Sequence, residues 1–238
     1  EVTYDDQGNP IPQELRYDPT NEDMRYSTAQ TDTPQFKRWF GDSKVVDAEG
    51  KPLKVYHGTD AEFDTYSKSD DLGFHFGSEE QANQRLIDLG WQRKRDNKNI
   101  HIKELYLSIK NPVVLKSDPF TNTQMTYNEI ADIFQEHVYL RPETIKAARN
   151  ADDEMSQYED QRETEGLPEK KVFWDLLKED LVNEGYDGVI YENKFEGSGK
   201  SYVAFSPEQI KSATGNTGAF DPQNPDIRYS TVTDLDLL

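Results

Sequence analysis

The sequence predicts an α+β fold. Apolar runs of strand length, rich in valine, isoleucine, tyrosine and phenylalanine, fall towards both ends of the chain. The middle is charged and carries helical periodicity. Strands grouped apart from helices argue against a regular βαβ alternation. With 238 residues, the length suits one medium domain with tails.

Each element follows from local signals. Residues 1–30 read as linker. Thr33-Pro34-Gln35-Phe36-Lys37-Arg38-Trp39-Phe40 has a capping threonine, a proline at the first helical position and three aromatics on one face, so it predicts a short anchoring helix. Asp47-Ala48-Glu49-Gly50 is a turn between Val45-Val46 and Leu53 to Tyr56, which predicts a hairpin. Gly73 to Gly77 is a strand, followed by a helix capped by Ser78 with acidic residues in its first turn. Ile102 to Ile109 alternates as a strand and ends at Asn111-Pro112. Residues 121–170 are expected to be helical. Within them Ala147 to Gly166 nearly lacks large aliphatics and reads as a mobile insertion. Phe173 to Val182 is an amphipathic helix ending at Gly185. Asp187 to Tyr191 and Ser201 to Phe205 are strands, joined by the glycine-bearing loop Lys194 to Lys200.

Composition narrows function. The net charge is −19, so the surface repels phosphate backbones and argues against nucleic-acid binding, although Lys94, Arg95 and Lys98 make a local basic cluster. There is no cysteine, which excludes disulfides, thiolate metal sites and a cysteine nucleophile. No metal site and no membrane span are expected. The absence of disulfides suits the cytoplasm without requiring it.

One segment occurs twice. Tyr17-Asp-Pro-Thr-Asn-Glu-Asp-Met-Arg-Tyr-Ser-Thr28 and Phe220-Asp-Pro-Gln-Asn-Pro-Asp-Ile-Arg-Tyr-Ser-Thr231 share eight of twelve positions. The copies bracket a whole domain, so each reads as the closing segment of a module, the first belonging to a module upstream. The expected layout is a linker or preceding tail over 1–30, one domain over 31–230, and a tail over 231–238.

The richest short run is Val55-Tyr56-His57-Gly58-Thr59. It is a strand that ends in an imidazole, a glycine and a hydroxyl at the rim of a sheet. With Phe36-Lys-Arg-Trp-Phe-Gly-Asp-Ser43, Gly73-Phe-His-Phe-Gly-Ser78, Tyr186-Asp-Gly-Val-Ile-Tyr-Glu-Asn193, Ser201-Tyr-Val-Ala-Phe-Ser-Pro-Glu-Gln-Ile-Lys211 and Asn224-Pro-Asp-Ile-Arg-Tyr-Ser230, it resembles the ADP-ribosyltransferases of the diphtheria-toxin and poly(ADP-ribose) polymerase type. The chain is most similar to such modules in polyvalent proteins of phages and mobile elements. The resemblance covers roughly residues 34–230. It implies a split β-sandwich with flanking helices and NAD as substrate. It also implies a protein acceptor and action in the cytoplasm, with delivery into a host cell as part of a larger toxin or effector as one route.

ADP-ribosyl transfer breaks the nicotinamide–ribose bond through an oxocarbenium-like transition state. A site needs a ribose clamp, a wall for the leaving ring and a nearby carboxylate. By resemblance, His57 bonds the ribose next to adenine, the Gly58 backbone receives the nicotinamide amide, and Thr59 lines the same wall. His75 stands where a stacking tyrosine is usual. Strand alternation points it into the cleft while Phe74 and Phe76 serve the core. Tyr56, Phe74 and Ser201 complete the cofactor-binding set.

Ser201 holds the place of the usual glutamate. A serine cannot supply the charge, so Glu192, Glu196 and Glu208 are the alternatives, with Glu196 the strongest because its loop can fold back over the cleft. The catalytic set is therefore Glu196, His57 and His75. Mono-ADP-ribosylation, NAD hydrolysis and a catalytically inert binding module all remain open readings. A related RNA phosphotransferase would require a basic path that this chain lacks.

Overall fold

The computed structural model describes residues 29–67, 69, 71–93, 100–120, 125–158, 167–216, 218 and 220–228. The expected linker up to residue 28, including the first copy of the repeat, lies outside these residues. So do the 231–238 tail and the cluster of Lys94, Arg95 and Lys98.

The elements in chain order are α1 (Ala29–Asp32), α2 (Pro34–Phe40), β1 (Val55–Thr59), β2 (Phe74–Phe76), α3 (Glu79–Arg93), β3 (His101–Leu107) and β4 (Pro112–Leu115). They continue with α4 (Tyr127–Gln135), α5 (Pro142–Met155), α6 (Pro168–Asn183), β5 (Gly188–Asn193), β6 (Gly199–Ala204), a 3₁₀ turn (Pro207–Gln209) and β7 (Ile210–Ser212).

The strands form two sheets, one ordered β1-β3-β7 and the other β2-β6-β5-β4. All pairings are antiparallel except β4 with β5. Alternation along the strands divides the core into layers. Leu105, Leu107, Ile190, Tyr202 and Ala204 face one another between the sheets, with Val55, Phe76 and Ile210. The opposite faces of β4, β5 and β6 present Val113, Leu115, Val189, Tyr191 and Val203 to α4, α5 and α6. Tyr106, on the outer face of β3, packs against Phe36, Trp39, Phe40 and Phe220. The fold is thus α+β with two sheets, as predicted.

Helix α2 begins as its sequence dictates: Thr33 Oγ1 accepts from Phe36 N at 3.2 Å and Pro34 occupies the first turn. Its buried aromatics meet Phe220, whose ring centroid lies 4.9 Å from that of Phe36. The described part of the second copy, residues 220–228, is therefore a strap built into the domain. Ile227 N donates to Asp64 O at 2.8 Å and Arg228 pairs with the Asp64 carboxylate. Lys211, 1% exposed, donates to the Asn224 and Asp226 carbonyls.

Two expectations give way. Ala147 to Met155 is not a loose insertion but the body of α5, which buries Thr144, Ala147, Ala148 and Ala151. Small side chains let helices approach closely, so packing here needs no large aliphatics. Residues 159–166, the rest of that segment, lie outside the described residues. The hairpin at Val45-Val46 shrinks to a single bridge between Val46 and Pro52, since the proline has no N–H to give the ladder.

Candidate active site

β1 and β2 belong to different sheets but touch at one point. Tyr56 N donates to Gly77 O at 2.9 Å, and Gly77 N donates to Tyr56 O at 3.1 Å. Beyond that bridge the strands splay. Here the His57 side chain takes the place of the backbone ladder, with Nδ1 2.8 Å from the His75 carbonyl oxygen. A carbonyl only accepts, so Nδ1 carries the hydrogen and Nε2 is a lone-pair acceptor. Burial among Phe63, Tyr66 and Phe76 pushes the His57 pKa down to about 4, against the opposing pull of the carbonyl. His57 is neutral at physiological pH.

The splay opens a cavity of about 480 Å³. Helix α3 forms one side of it, and its approach depends on Gly58. A Cβ there would lie 2.8 Å from Leu86 Cγ and closer still to the Ala82 carbonyl oxygen. This close packing of α3 on β1 brings Gln81 and Arg85, one helical turn apart, to the cavity wall.

Most of the sequence-predicted residues converge here. Tyr56, His57, Gly58, Phe74, His75, Glu196 and Ser201 all line the cavity. Thr59 does not, since its hydroxyl turns to accept from Ala61 N at 3.1 Å. Phe76 is buried in the inter-sheet core, as expected of its side of the strand, and Phe74 packs on that core. The cavity straddles the split, so both phenylalanines also reach its wall. His75 lies on the other side, edge-on to Phe120 at 4.9 Å.

Of the three candidate carboxylates, Glu196 alone lines this cavity. Glu192 is exposed, opposite Lys200 in the β5–β6 register. Glu208 sits on the 3₁₀ turn and accepts from Ser206 Oγ at 2.7 Å.

Asn193, 2% exposed, folds the Glu196 loop inward. Its Oδ1 accepts from Phe195 N at 3.1 Å and Glu196 N at 3.0 Å, while its Nδ2 donates to Glu196 Oε2 at 3.2 Å and Ser201 Oγ at 3.1 Å. Ser201 Oγ donates onward to Gln81 Oε1 at 3.1 Å, which also accepts from Ser78 N at 2.7 Å. Ser201 is therefore a buried link in a polar chain between α3 and the loop. Burial pushes the Glu196 pKa above the ordinary glutamate value, opposed by the Arg85 charge, the Asn193 hydrogen bond and His75.

Asp71 was absent from the sequence-derived set. Its Oδ1 lies 2.9 Å from His75 Nε2 and also accepts from Ser69 Oγ and Gly73 N. Burial alone would lower the His75 pKa, but the charge and hydrogen bond of Asp71 outweigh it and hold His75 above its ordinary value. Asp71 is correspondingly held low, its burial outweighed by His75 and its hydrogen bonds. The sequence signal was available in the spacing Asp71-Leu72-Gly73-Phe74-His75, an acid just before a strand histidine. Gln81 and Arg85 carried only the weaker signal of one helical turn after the Ser78 cap.

Among the described residues no group of His, Asp and Glu is arranged to hold a metal ion, and no helix is long and apolar enough to cross a membrane. Comparison with curated proteins gives no match. Among solved structures the chain is similar to an anti-CRISPR protein, at 13% identity and a TM-score of 0.29, over 66% of this chain and 91% of that one. That likeness is too slight to bear on function. Residues 47–220 match the family described as ADP-ribosyltransferase in polyvalent proteins. This span holds β1 through β7 and every residue of the cavity, and the protein belongs to that family.

Proposed function

We propose that the protein is an NAD-dependent mono-ADP-ribosyltransferase that modifies a protein acceptor. The observation that carries this reading is the placement of Glu196. It lies in one cavity with His57 and His75 although the motif position holds Ser201. NAD is the general substrate of the family. The neutral His57 offers its Nε2 lone pair to a ribose hydroxyl, and the Gly58 backbone faces the carboxamide. The nicotinamide ring lies against His75. Tyr56 and Phe74 border the cofactor, and Arg85 supplies positive charge for the pyrophosphate. Glu196 stabilises the ribose as positive charge develops at C1′. We place this activity in the cytoplasm, where NAD is available, with delivery from a phage or mobile element as its setting.

Incubation with NAD labelled in the adenylate half tests the reading. Release of nicotinamide and labelling of protein are expected from wild type, with both reduced at least a hundredfold in Glu196→Gln. Labelled free ADP-ribose without protein labelling would reassign the protein as an NAD glycohydrolase. Tight NAD binding without turnover would make it an inert binding module.

A further inference from the structure

We propose that His75 and Asp71 form an acid–base dyad that removes the proton from the attacking acceptor. This rests on the transferase reading above. Asp71 engages Nε2, so exchange of a proton with a ligand falls to Nδ1, which has no protein partner among the described residues. The His75 side chain keeps 30% of its surface exposed and lines the cavity, so the ring is accessible to a bound molecule. Asp71 is fixed in turn by Ser69 Oγ and Gly73 N, which leaves its carboxylate aimed at the ring. A stacking aromatic in this position would need none of these partners. The arrangement is that of a base with its orienting carboxylate.

The charge of the substrate gives the dyad its timing. Before cleavage the nicotinamide ring is a pyridinium cation. Placed beside His75 it disfavours the imidazolium and leaves Nδ1 as a free base. The C1′–N bond then breaks, and its electron pair neutralises the ring nitrogen. The acceptor's lone pair forms the new bond to C1′ on the face away from the departing ring, and its proton reaches Nδ1 through a water molecule. The imidazolium formed is paired with Asp71, and the neutral nicotinamide no longer opposes it. The proton returns to solvent when product leaves.

Other charged and titratable groups within electrostatic reach come from every side. Glu196 on the β5–β6 loop favours the imidazolium, and Arg85 on α3 and the neutral His57 on β1 complete the cavity side. Around Asp71 stand Tyr127 on α4, Lys178 on α6 and Tyr191 on β5. None of them is hydrogen-bonded to the His75 ring; His57 bonds only the His75 backbone carbonyl.

Two measurements test the proposal on the full chain. Calorimetric NAD titrations in buffers of different ionisation enthalpy, from pH 6 to 9, should show a proton released on binding by wild type. That proton should vanish in His75→Phe, which keeps a flat ring. In Asp71→Asn the release should move to lower pH. Nicotinamide release should fall at least tenfold in His75→Phe, and added imidazole should restore part of it in His75→Gly. The acid limb of the rate profile should move to lower pH in Asp71→Asn. A purely structural role for Asp71 would change none of the proton counts. Wild-type turnover matched by His75→Phe, with an unchanged pH profile, overturns the dyad and leaves the transferase reading standing. Wild-type protein that never frees nicotinamide overturns both.

Discussion

Replacing Asn193 by alanine isolates what holds Glu196 in place. The change removes four hydrogen bonds, two accepted from the Phe195 and Glu196 amides and two donated to Glu196 and Ser201. At roughly 1 kcal/mol net each, with the loop amides partly recovering water, the loss is about 3 kcal/mol. For a domain of this size that lowers Tm by about 6–12 °C. Activity should suffer more than stability at a temperature where the variant is still folded. A carboxylate displaced by about 1 Å costs on the order of a hundredfold in rate. The Glu196 pKa should also rise further, since Asn193 is one of the groups that opposes its burial. Thermal melts and nicotinamide release, measured together across pH, read both effects. Asn193→Asp is the informative partner. It keeps the acceptor for the two amides but sets a second carboxylate against Glu196, so it should recover much of the Tm and little of the activity. Wild-type turnover in Asn193→Ala would refute the claim that this residue positions Glu196.

Three further outcomes follow from the same geometry. Arg85→Gln removes a cation that favours ionised Glu196 and disfavours protonated His75. Both pKa values then rise, so the acid limb of nicotinamide release should move to higher pH; an unmoved limb would remove Arg85 from the site's electrostatics. For His57, the folded pKa of about 4 lies below the unfolded 6.5. Between those values the unfolded chain binds the extra proton, so this contribution to stability is present above pH 6.5 and is lost as pH falls to 4, by about 3 kcal/mol. Urea midpoints at pH 7 and pH 4.5 should fall more steeply for wild type than for His57→Gln, and equal slopes would contradict this. Gly58→Ala drives a methyl into Leu86 and the Ala82 carbonyl, which should cost about 1–3 kcal/mol and loosen α3. An unchanged denaturation midpoint in that variant would show that α3 does not depend on the close approach.

The sequence was most legible where one element settles its own fate. The cap and proline of α2, the alternation of β3, the short apolar runs of β1, β5 and β6, and the glycine after α6 could all be read directly. β4 was missed because it opens on a proline, which reads as a stop, and β7 because it lacks the flanking glycines that mark the equally short β2. α5 was misread because its buried face is made of alanine and threonine rather than large aliphatics. The site divides along the same line. His57 and His75 lie within short strands that the sequence marks, and β1 runs on past the imidazole to Thr59. The polar chain around them does not exist until the fold closes, since Gln81 and Ser201 are 120 residues apart. Nothing local in Asn193 distinguishes it from any asparagine at the end of a strand.

Ser201, at the position where the resemblance implies glutamate, gains a structural reason from that polar chain. Ser201 is 2% exposed, and its hydroxyl is committed at both ends, accepting from Asn193 and donating to Gln81. A carboxylate in its place would meet the Gln81 Oε1 that now accepts from serine, and two acceptors cannot share one hydrogen bond. The serine thus does not mark a site that has merely lost its charge. It joins α3 to Asn193, and Asn193 brings in the carboxylate from Glu196, five positions earlier. On the transferase reading, the charge sits not on the β6 strand but on a loop that Asn193 folds inward. A strand fixes its side chains through the sheet, whereas this loop is pinned by three bonds to Asn193 and by Asp118, which accepts from Lys194 N at 3.3 Å. Asn193 should therefore be more sensitive to substitution than Ser201 itself, because serine serves only to hold the residue that holds the acid.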